Sequence, residues 1–429
     1  MKRIAVVGGG AAGVLLLVQL ARRLPSDAEV EVVLFDDCGR VARGVAYWTG
    51  DSRHLLNVPA GRMSAVEGDD EHFLRWLRRT EPEASAEDYR SRCQYGNYLA
   101  QCLAAHARAC RLVVRHARVT DLIRTGERWR LTHTRGGDIV DAVVLALGHS
   151  PPVGAGIDPW APGALGQVLD RTEPADVVVT IGTGLTAVDV TLSLVPAGRR
   201  VVAISRHALL PEAQLPTLPE PTPPPLPHLP AQLTTDTVES LVRDHVRRVV
   251  AAGGDWRSAI DGFRHVTSDL WRRLPLDERT TFLAGPARRW ETVRHRMAPA
   301  VAEQIASYRS DGRLQVRRVD EVAPDLIDAA VVVNCTGPTC DIERYAGGLG
   351  QQLVARGLVR RDPLGLGIDT TEDGLVVDAA GEATSAFTAI GALRRGSLYE
   401  STAIPELRVQ SAVLAERLVA LEPESVSVA

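Results

Sequence analysis

The first segment that could bind a phosphate group is Gly8-x-Gly10-x-x-Gly13. In this spacing the glycines permit a tight turn, a close approach of backbone to pyrophosphate and close packing of the helix that follows. The free N–H groups at the start of that helix would hold the phosphates. Asp36 ends the next apolar run, where an acid can accept hydrogen bonds from a ribose. The segment therefore predicts a dinucleotide site, with a chance glycine turn as the alternative.

A second segment, Gly182-x-Gly184-x-x-Ala187, repeats the pattern about 170 residues later. The apolar run after it ends near Arg206 instead of an acid. An arginine in that place suits a 2′-phosphate, so this site favours NADPH over NADH. The alternative is a solvated arginine at a strand end.

A third candidate is the polar segment that contains Trp290, Arg294, His295 and Arg296. On a helix, Trp290 and Arg294 share a face because they are four residues apart. Arg294 or Arg296 could hold a substrate carboxylate through two hydrogen bonds, and His295 could move a proton. The alternative is a solvated helix face over a buried Trp290.

The elements that must position these residues alternate between strands and helices. Residues 3–7 predict a strand, 12–24 a helix and 29–36 a second strand. The second unit repeats this order with a strand over 176–181, a helix over 185–195 and a strand over 201–204. Helices are also predicted over 70–80, 95–110 and 401–420, and further strands over 143–147 and 330–333. Repeated βαβ units predict parallel sheets in an α/β fold.

Composition removes several other classes of function. The 429 residues carry 49 basic and 53 acidic side chains, a net charge of −4, which gives no electrostatic basis for binding nucleic acid or an anionic membrane. Lys2 is the only lysine, so no interior lysine can form a Schiff base with pyridoxal phosphate.

The six cysteines form no Cys-x-x-Cys pair and no Cys/His group with zinc spacing, so we expect no metal site and reduced thiols in a cytoplasmic protein. The basic start and apolar run at the N-terminus imitate a secretory signal, but glycines interrupt that run. No other apolar run approaches 18 residues, so no membrane span is expected.

With two such motifs the chain resembles the two-dinucleotide-binding flavoproteins. It is most similar to the FAD/NAD(P)-binding family that includes the nitrosuccinate-forming aspartate N-monooxygenases, and more distantly to flavin-containing and ornithine N-hydroxylating monooxygenases. The resemblance implies FAD at the first motif and NADPH at the second. It also implies further segments beside the flavin or between the domains, which contribute Asn57, Met63, Arg92, Tyr95, Gly148, Gly337, Gly391, Ser401 and Thr402.

The resemblance also implies the architecture, two doubly wound Rossmann-like domains with a helical insert. Residues 1–170 and 331–429 would form a discontinuous FAD domain. Residues 171–330 would form the NADPH domain, with a proline-rich excursion over 211–230 and the insert over 231–310. Substrate would enter the cleft between the domains.

The function that this resemblance implies is an NADPH-driven monooxygenase that uses molecular oxygen through a flavin C4a-hydroperoxide. The expected reaction is N-hydroxylation of a small amino acid or amine. Two alternatives remain open: an NADPH-dependent flavin reductase or oxidase that passes electrons to a partner, and a non-catalytic FAD-binding sensor or scaffold. The substrate and the oligomeric state do not follow from the sequence.

Overall fold

The computed structural model describes residues 1–25, 27–37, 39–226, 229–322, 331–345 and 347–421. Its strands are β1 (Lys2–Val7), β2 (Val30–Phe35), β3 (Val113–Arg115), β4 (Val119–Thr125), β5 (Arg128–His133), β6 (Gly136–Val140), β7 (Ala142–Leu145), β8 (Val177–Ile181), β9 (Arg200–Ser205), β10 (Leu314–Arg318), β11 (Val331–Asn334), β12 (Leu375–Val377) and β13 (Ala383–Ala389).

Its α-helices are α1 (Ala11–Arg23), α2 (His72–Leu77), α3 (Arg92–His106), α4 (Ala164–Asp170), α5 (Leu185–Leu194), α6 (Thr235–Ala251), α7 (Trp256–Asp261), α8 (Thr267–Arg273), α9 (Leu276–Ala284), α10 (Pro286–Arg294), α11 (Pro299–Ser310), α12 (Leu349–Ala355), α13 (Arg395–Leu398) and α14 (Ile404–Ala420). Short 3-10 helices cover Ala60–Arg62, Val319–Glu321, Ile342–Arg344 and Gly391–Arg394.

The first unit is a six-stranded sheet in the order β12-β13-β7-β1-β2-β3. Strand β1 lies in the middle and pairs in parallel with β2 and β7, while β12 pairs antiparallel with β13 at one edge. Helices α1, α3 and α14 pack around one face, where residues such as Leu15 and Leu99 are fully buried. Because β1 is central, the segment that follows it lies at the carboxyl edge, where α/β sheets bind ligands.

A three-stranded antiparallel sheet, β4-β5-β6, covers the other face of the first sheet. Trp129 of β5 contacts Phe387 of β13, with ring centroids 4.9 Å apart. The buried core of this layer joins residues of β5 to residues of β1 and β13. The alternating burial along β5 shows why this segment forms a strand with one solvated face.

The second unit is a parallel sheet in the order β10-β9-β8-β11. Its core is formed by α5, α11 and the side chain of Val168 from α4. Strand β11 pairs with β8, so residues 331–334 lie in the second sheet. The domain limits at 170 and 330 stay predictions. The α/β fold with parallel sheets is confirmed.

The predicted helical insert consists of six helices, α6 to α11. The described part of the proline-rich excursion has an irregular backbone that hydrogen-bonds to this insert. The backbone N–H of Gln214 donates to Met297 (2.8 Å), and that of Thr222 donates to Ser258 (3.0 Å). The excursion is therefore held against the helices, while Pro227 and His228 lie outside the described residues.

The last helix differs from its prediction, because α14 begins at Ile404 and not near Ser401. Pro405 stands in its first turn, a place that suits proline because no N–H partner is lost there. Residues 401–403 therefore form a loop in front of the helix. Within the described ranges, no helix combines the length and the apolar character that a membrane crossing requires.

Candidate functional site

The first glycine turn requires glycine at two places. Gly8 has a φ of +113°, and a Cβ on it would lie 2.2 Å from the carbonyl oxygen of Ala146. A Cβ on Gly13 would lie 2.3 Å from the carbonyl oxygen of Gly8. Gly10 precedes α1, and among the described residues no side-chain cap is found at the start of that helix. The open N–H groups therefore suit the pyrophosphate of a dinucleotide.

Asp36 lies immediately after β2 and against this turn. A Cβ on Gly9 would lie 2.9 Å from its Oδ2 atom. Its Oδ1 atom accepts the backbone N–H of Arg40 at 3.3 Å. The carboxylate thus stands at the strand end beside the phosphate turn, the place where such an acid binds a ribose.

The second glycine turn has nearly the same backbone. Gly182 has a φ of +112°, and a Cβ on it would lie 2.1 Å from the carbonyl oxygen of Cys335. Gly184 precedes α5, and the described part of the chain provides no side-chain cap at the start of this helix either. Ala187 of α5 is buried. Arg206 is exposed just beyond β9, and among the described residues no carboxylate lies within 4 Å of it. This turn suits a second dinucleotide.

Arg288 of α10 lies beside the second glycine turn, a position that the sequence did not predict. Its Nη2 atom donates to the carbonyl of Leu209 (2.7 Å) and to Oγ1 of Thr183 (3.2 Å). A Cβ on Gly184 would lie 3.8 Å from its Nη1 atom. A cation at the start of α5 adds charge for a phosphate. No sequence signal identifies it, because Arg288 comes from α10, about a hundred residues along the chain.

A polar cavity of about 280 Å³ lies between the two units and the insert. It brings together six of the residues predicted from sequence: Asn57, Arg294, His295, Arg296, Ser401 and Thr402. His149 and Pro338, which follow Gly148 and Gly337 at the ends of β7 and β11, also line it. The two strand ends are joined by an antiparallel bridge between Ser150 and Thr339. We call this space the polar cavity.

Arg294 and Arg296 are already paired with carboxylates in the wall of the polar cavity. Arg294 contacts Glu400 at 3.0 Å and Asp261 at 3.5 Å, and Arg296 contacts both oxygens of Asp261 at 2.6 Å. Trp290 also donates to Glu400 at 3.1 Å, which confirms that Trp290 and Arg294 share a helix face. A substrate carboxylate at either arginine would have to compete with an internal one.

The ionisable groups of this wall have shifted pKa values. Burial opposes ionisation of Glu400, but the charge of Arg294 and the hydrogen bonds from Arg294 and Trp290 hold its pKa below the ordinary value. The surrounding protein removes bulk water from His295 and lowers its pKa, which favours the neutral imidazole. The same cause, with Arg395 adding repulsion, lowers the pKa of His149 to about 4, although its ring is open to the cavity.

The loop in front of α14 places two unpartnered hydroxyl groups at the polar cavity. Tyr399 has φ +61° and ψ −60°, and the N–H of Glu400 donates to the carbonyl of Leu398 at 2.8 Å, which defines a strained γ-turn. The Tyr399 Oη and Ser401 Oγ atoms are buried and lack a hydrogen-bond partner within the described parts of the chain. A ligand with polar edges, such as the ring system of FAD, fits this arrangement.

Met63, Arg92 and Tyr95, which the resemblance places beside the flavin, do not line the polar cavity. Met63 is buried in the core, and Tyr95 is fully buried with its ring 5.0 Å from that of Phe73. Arg92 forms an ion pair with Asp189 of α5, at 2.9 Å, and so joins the two units. Roles of these residues as FAD contacts stay predictions.

The three remaining predicted glycines all have positive φ values. At Gly148 (φ +68°) and Gly337 (φ +95°), no atom of the described residues lies within 4 Å of the place where a Cβ would stand. Gly391 (+79°) donates its N–H to Oε1 of Gln410 at 3.1 Å. Each lies just beyond a strand end, so the backbone can approach a ligand there.

Comparison with known proteins identifies the class. Residues 5–150 match the model of the FAD-NAD(P)-binding family. No curated protein shows a significant sequence match to the chain. The match covers the N-terminal third of the chain, and the expected cofactor class, FAD with NAD(P), is confirmed.

Solved structures extend the likeness over the whole chain. L-lysine 6-monooxygenase from Pseudomonas syringae has 16% identity and a TM-score of 0.59, with 98% of each chain covered. Ornithine N-hydroxylase from Kutzneria sp. 744 has 14% identity and a TM-score of 0.58, with 97% of this chain and 99% of that one covered. Bacillithiol disulfide reductase from Bacillus cereus has 14% identity and a TM-score of 0.55, with 98% and 99% covered. At these identities the likeness establishes the fold of the two-dinucleotide flavoproteins.

Proposed function

We propose that this chain is an FAD-dependent, NADPH-driven monooxygenase that hydroxylates the nitrogen of a small amino acid or amine. The observation that carries the proposal is that the segments that contact the two glycine turns, at Ala146 and Cys335, both lead into the polar cavity, which His149 and Pro338 line. Helix α10 connects the second turn to the cavity, since Arg288 lies at the turn and Arg294 at the cavity. Six residues of α-helix separate them by about 9 Å.

FAD, when bound, supplies the chemistry of accepting hydride from NADPH and of activating oxygen. Gly8, Gly10, Gly13 and Asp36 would hold its dinucleotide part, and Ser401 Oγ would hydrogen-bond to its ring system. The chain itself then has to bind the substrate, orient its nitrogen and exclude water. This division of work explains why the sequence contains no catalytic triad.

Arg62 is better placed than Arg294 or Arg296 to bind a substrate carboxylate. It lines the polar cavity and has no carboxylate within 4 Å in the ranges that the structure describes. Arg294 and Arg296 instead orient Glu400 and Asp261. His295, neutral at pH 7, would accept a proton from the substrate ammonium group, because only the free amine is nucleophilic.

The test is a turnover assay on FAD-loaded protein with NADPH, oxygen and a panel of amino acids and amines. We expect one compound class to accelerate NADPH oxidation and to yield a hydroxylated amine in proportion to the oxygen consumed. Arg62→Ala should raise KM for a carboxylate-bearing substrate at least tenfold, whereas Arg62→Lys should retain part of the affinity. NADPH oxidation that yields only hydrogen peroxide with every compound would contradict the proposal.

The second candidate is an NADPH-dependent flavin reductase or oxidase that passes electrons to a partner. This candidate is supported by the similarity to a disulfide reductase, whose TM-score is nearly as high as that of the ornithine N-hydroxylase. It predicts NADPH oxidation with an added electron acceptor and no hydroxylated product. Binding of FAD without any NADPH oxidation would leave the sensor or scaffold function.

A further inference from the structure

The helical insert contains a second cavity of about 310 Å³, between α6, α8, α9 and α10, which we call the aromatic pocket. Its wall includes Phe263, Trp271, Phe282, Trp290 and Tyr399. Trp271 stacks on Tyr399 with ring centroids 4.8 Å apart, and Phe263 meets Trp290 edge to face at 6.1 Å. This volume and this lining are typical of small-molecule sites.

The polar groups inside the aromatic pocket are mostly occupied by the protein. The indole N–H of Trp271 donates to the carbonyl of Gly396 at 2.7 Å, and that of Trp290 donates to Glu400. The hydroxyl of Thr267 donates to the carbonyl of Phe263 at 2.9 Å. The interior therefore offers aromatic faces and few hydrogen bonds, so the part of a ligand inside it must be apolar.

The mouth of the aromatic pocket carries an excess of positive charge. Arg243 and Arg289 line it and are exposed, and neither has a carboxylate within 4 Å among the residues described. Glu239 is the acid that lines the same pocket. Two arginines against one glutamate favour an anion at the mouth.

The aromatic pocket shares a wall with the polar cavity. Tyr399 lines both spaces, and its strained γ-turn fixes the ring between them. Trp290 lines the aromatic pocket while its N–H holds Glu400 of the polar cavity. A molecule in one space therefore contacts side chains that shape the other.

We propose that the aromatic pocket binds a small aromatic carboxylate, with the ring inside the pocket and the carboxylate at Arg243 and Arg289. This binding does not depend on the turnover proposed above. The ligand could be one end of the substrate or a separate small molecule, and both have the same chemistry.

The test is calorimetric titration of FAD-loaded protein with indole-3-acetate and with its neutral analogue indole-3-acetamide. We expect saturable binding of the acetate and at least fivefold weaker binding of the acetamide. Arg243→Ala combined with Arg289→Ala should remove this difference, and both positions are exposed, so the variant should fold. Equal binding of the two compounds to the unmodified protein, or no saturable binding, would overturn the proposal.

A matched pair of variants on α6 locates the binding. Val242 lines the aromatic pocket, whereas Val250 is 51% exposed on the same helix. Val242→Trp should weaken acetate binding at least tenfold, and Val250→Trp should change it less than twofold. Equal affinity in both variants would place the ligand elsewhere and refute the proposal.

The source of the ligand is decided by kinetics. If the ligand is the substrate's own end, indole-3-acetate should raise the apparent KM for the accepted amine in proportion to its concentration. If it is a separate molecule, any change in KM should level off once the aromatic pocket is saturated, at concentrations set by the dissociation constant from calorimetry. Either result supports the site, because the direct titration measures binding without turnover.

Discussion

The two glycine turns use the same backbone device but differ at their third small residue. Gly8 and Gly182 have φ values within one degree of each other, and each lies under a carbonyl oxygen, of Ala146 or Cys335, where no Cβ fits. Gly13 has no room for a Cβ, whereas Ala187 carries one. The segment after the neighbouring strand therefore requires glycine at the first position of each turn. How closely the helix approaches the turn decides whether the third position must be glycine.

The turns also differ in the charge beside them. Asp36 lies next to the first turn, whereas Arg206 follows β9 of the second unit and Arg288 reaches it from the insert. An acid suits a ribose hydroxyl and arginines suit an additional phosphate. We propose from this difference that the same backbone conformation holds two different nucleotides and that the neighbouring side chains select between them.

The largest expected effect separates the two turns. Gly8→Ala should reduce FAD bound per protein to less than a tenth and lower the free energy of unfolding by about 3 kcal/mol, because its Cβ cannot avoid Ala146. The Gly182→Ala variant should still bind FAD, but NADPH should no longer reduce the bound flavin. Flavin absorbance and anaerobic NADPH titration measure these effects. Loss of FAD in both variants would show that the turns are not independent.

The next largest effect is expected from the ion pair between Arg92 and Asp189, which joins the two units. Burial raises the pKa of Asp189, and Arg92 opposes the shift. Arg92→Ala should lower the free energy of unfolding by about 3 kcal/mol at pH 7.5, because it leaves a buried carboxylate unpaired. An acid with a raised pKa in the folded state gains stability as the pH falls, so the deficit should shrink toward pH 5.

Urea unfolding at both pH values measures this deficit. The control is Arg92→Ala combined with Asp189→Asn, in which the pH dependence of the deficit should disappear. A deficit that stays constant between pH 7.5 and 5 would contradict the assignment of the pair as the joint between the units.

Substitutions at the third small residue of each turn, Gly13 and Ala187, should have smaller effects that differ between the two turns. Gly13→Ala should weaken FAD binding at least tenfold and lower the free energy of unfolding by about 2 kcal/mol, because α1 must move away from Gly8. Ala187→Gly should cost about 1 kcal/mol from helix propensity and leave KM for NADPH within threefold. Equal losses of nucleotide affinity would show that the two turns have the same tolerance after all.

The smallest expected effect concerns nucleotide choice. Arg206→Ala should reduce the preference for NADPH over NADH by about tenfold, the loss of one exposed charge-assisted contact. The Arg206→Lys variant should keep most of the preference for NADPH. Steady-state kcat/KM for both nucleotides gives the ratio. An unchanged ratio in Arg206→Ala would transfer the role to another cation, with Arg288 as the next candidate.

Local patterns predicted the two units well because their causes are local. The apolar run of residues 3–7, the glycines after it and Asp36 lie within one βαβ unit, so spacing alone placed them at one sheet edge. The same holds for residues 176–206. The prediction placed the start of the last helix at Ser401, three residues before its actual start at Ile404. Pro405 suits the first turn of a helix, and residues 401–403 before it form a loop against the polar cavity.

The sequence by itself determined where the two glycine turns lie, since the positive φ of Gly8 and Gly182 and the approach of α1 to Gly8 are local features. The tertiary structure added the carbonyl oxygens of Ala146 and Cys335, which leave no room for a Cβ at Gly8 and Gly182. Only the tertiary structure decided the polar cavity. Arg294 stands beside Glu400, and Arg92 beside Asp189, across about a hundred residues of chain in each case. Whether an arginine is free for a substrate or occupied by an internal carboxylate depends on which distant element packs against it, and residue spacing carries no information about that.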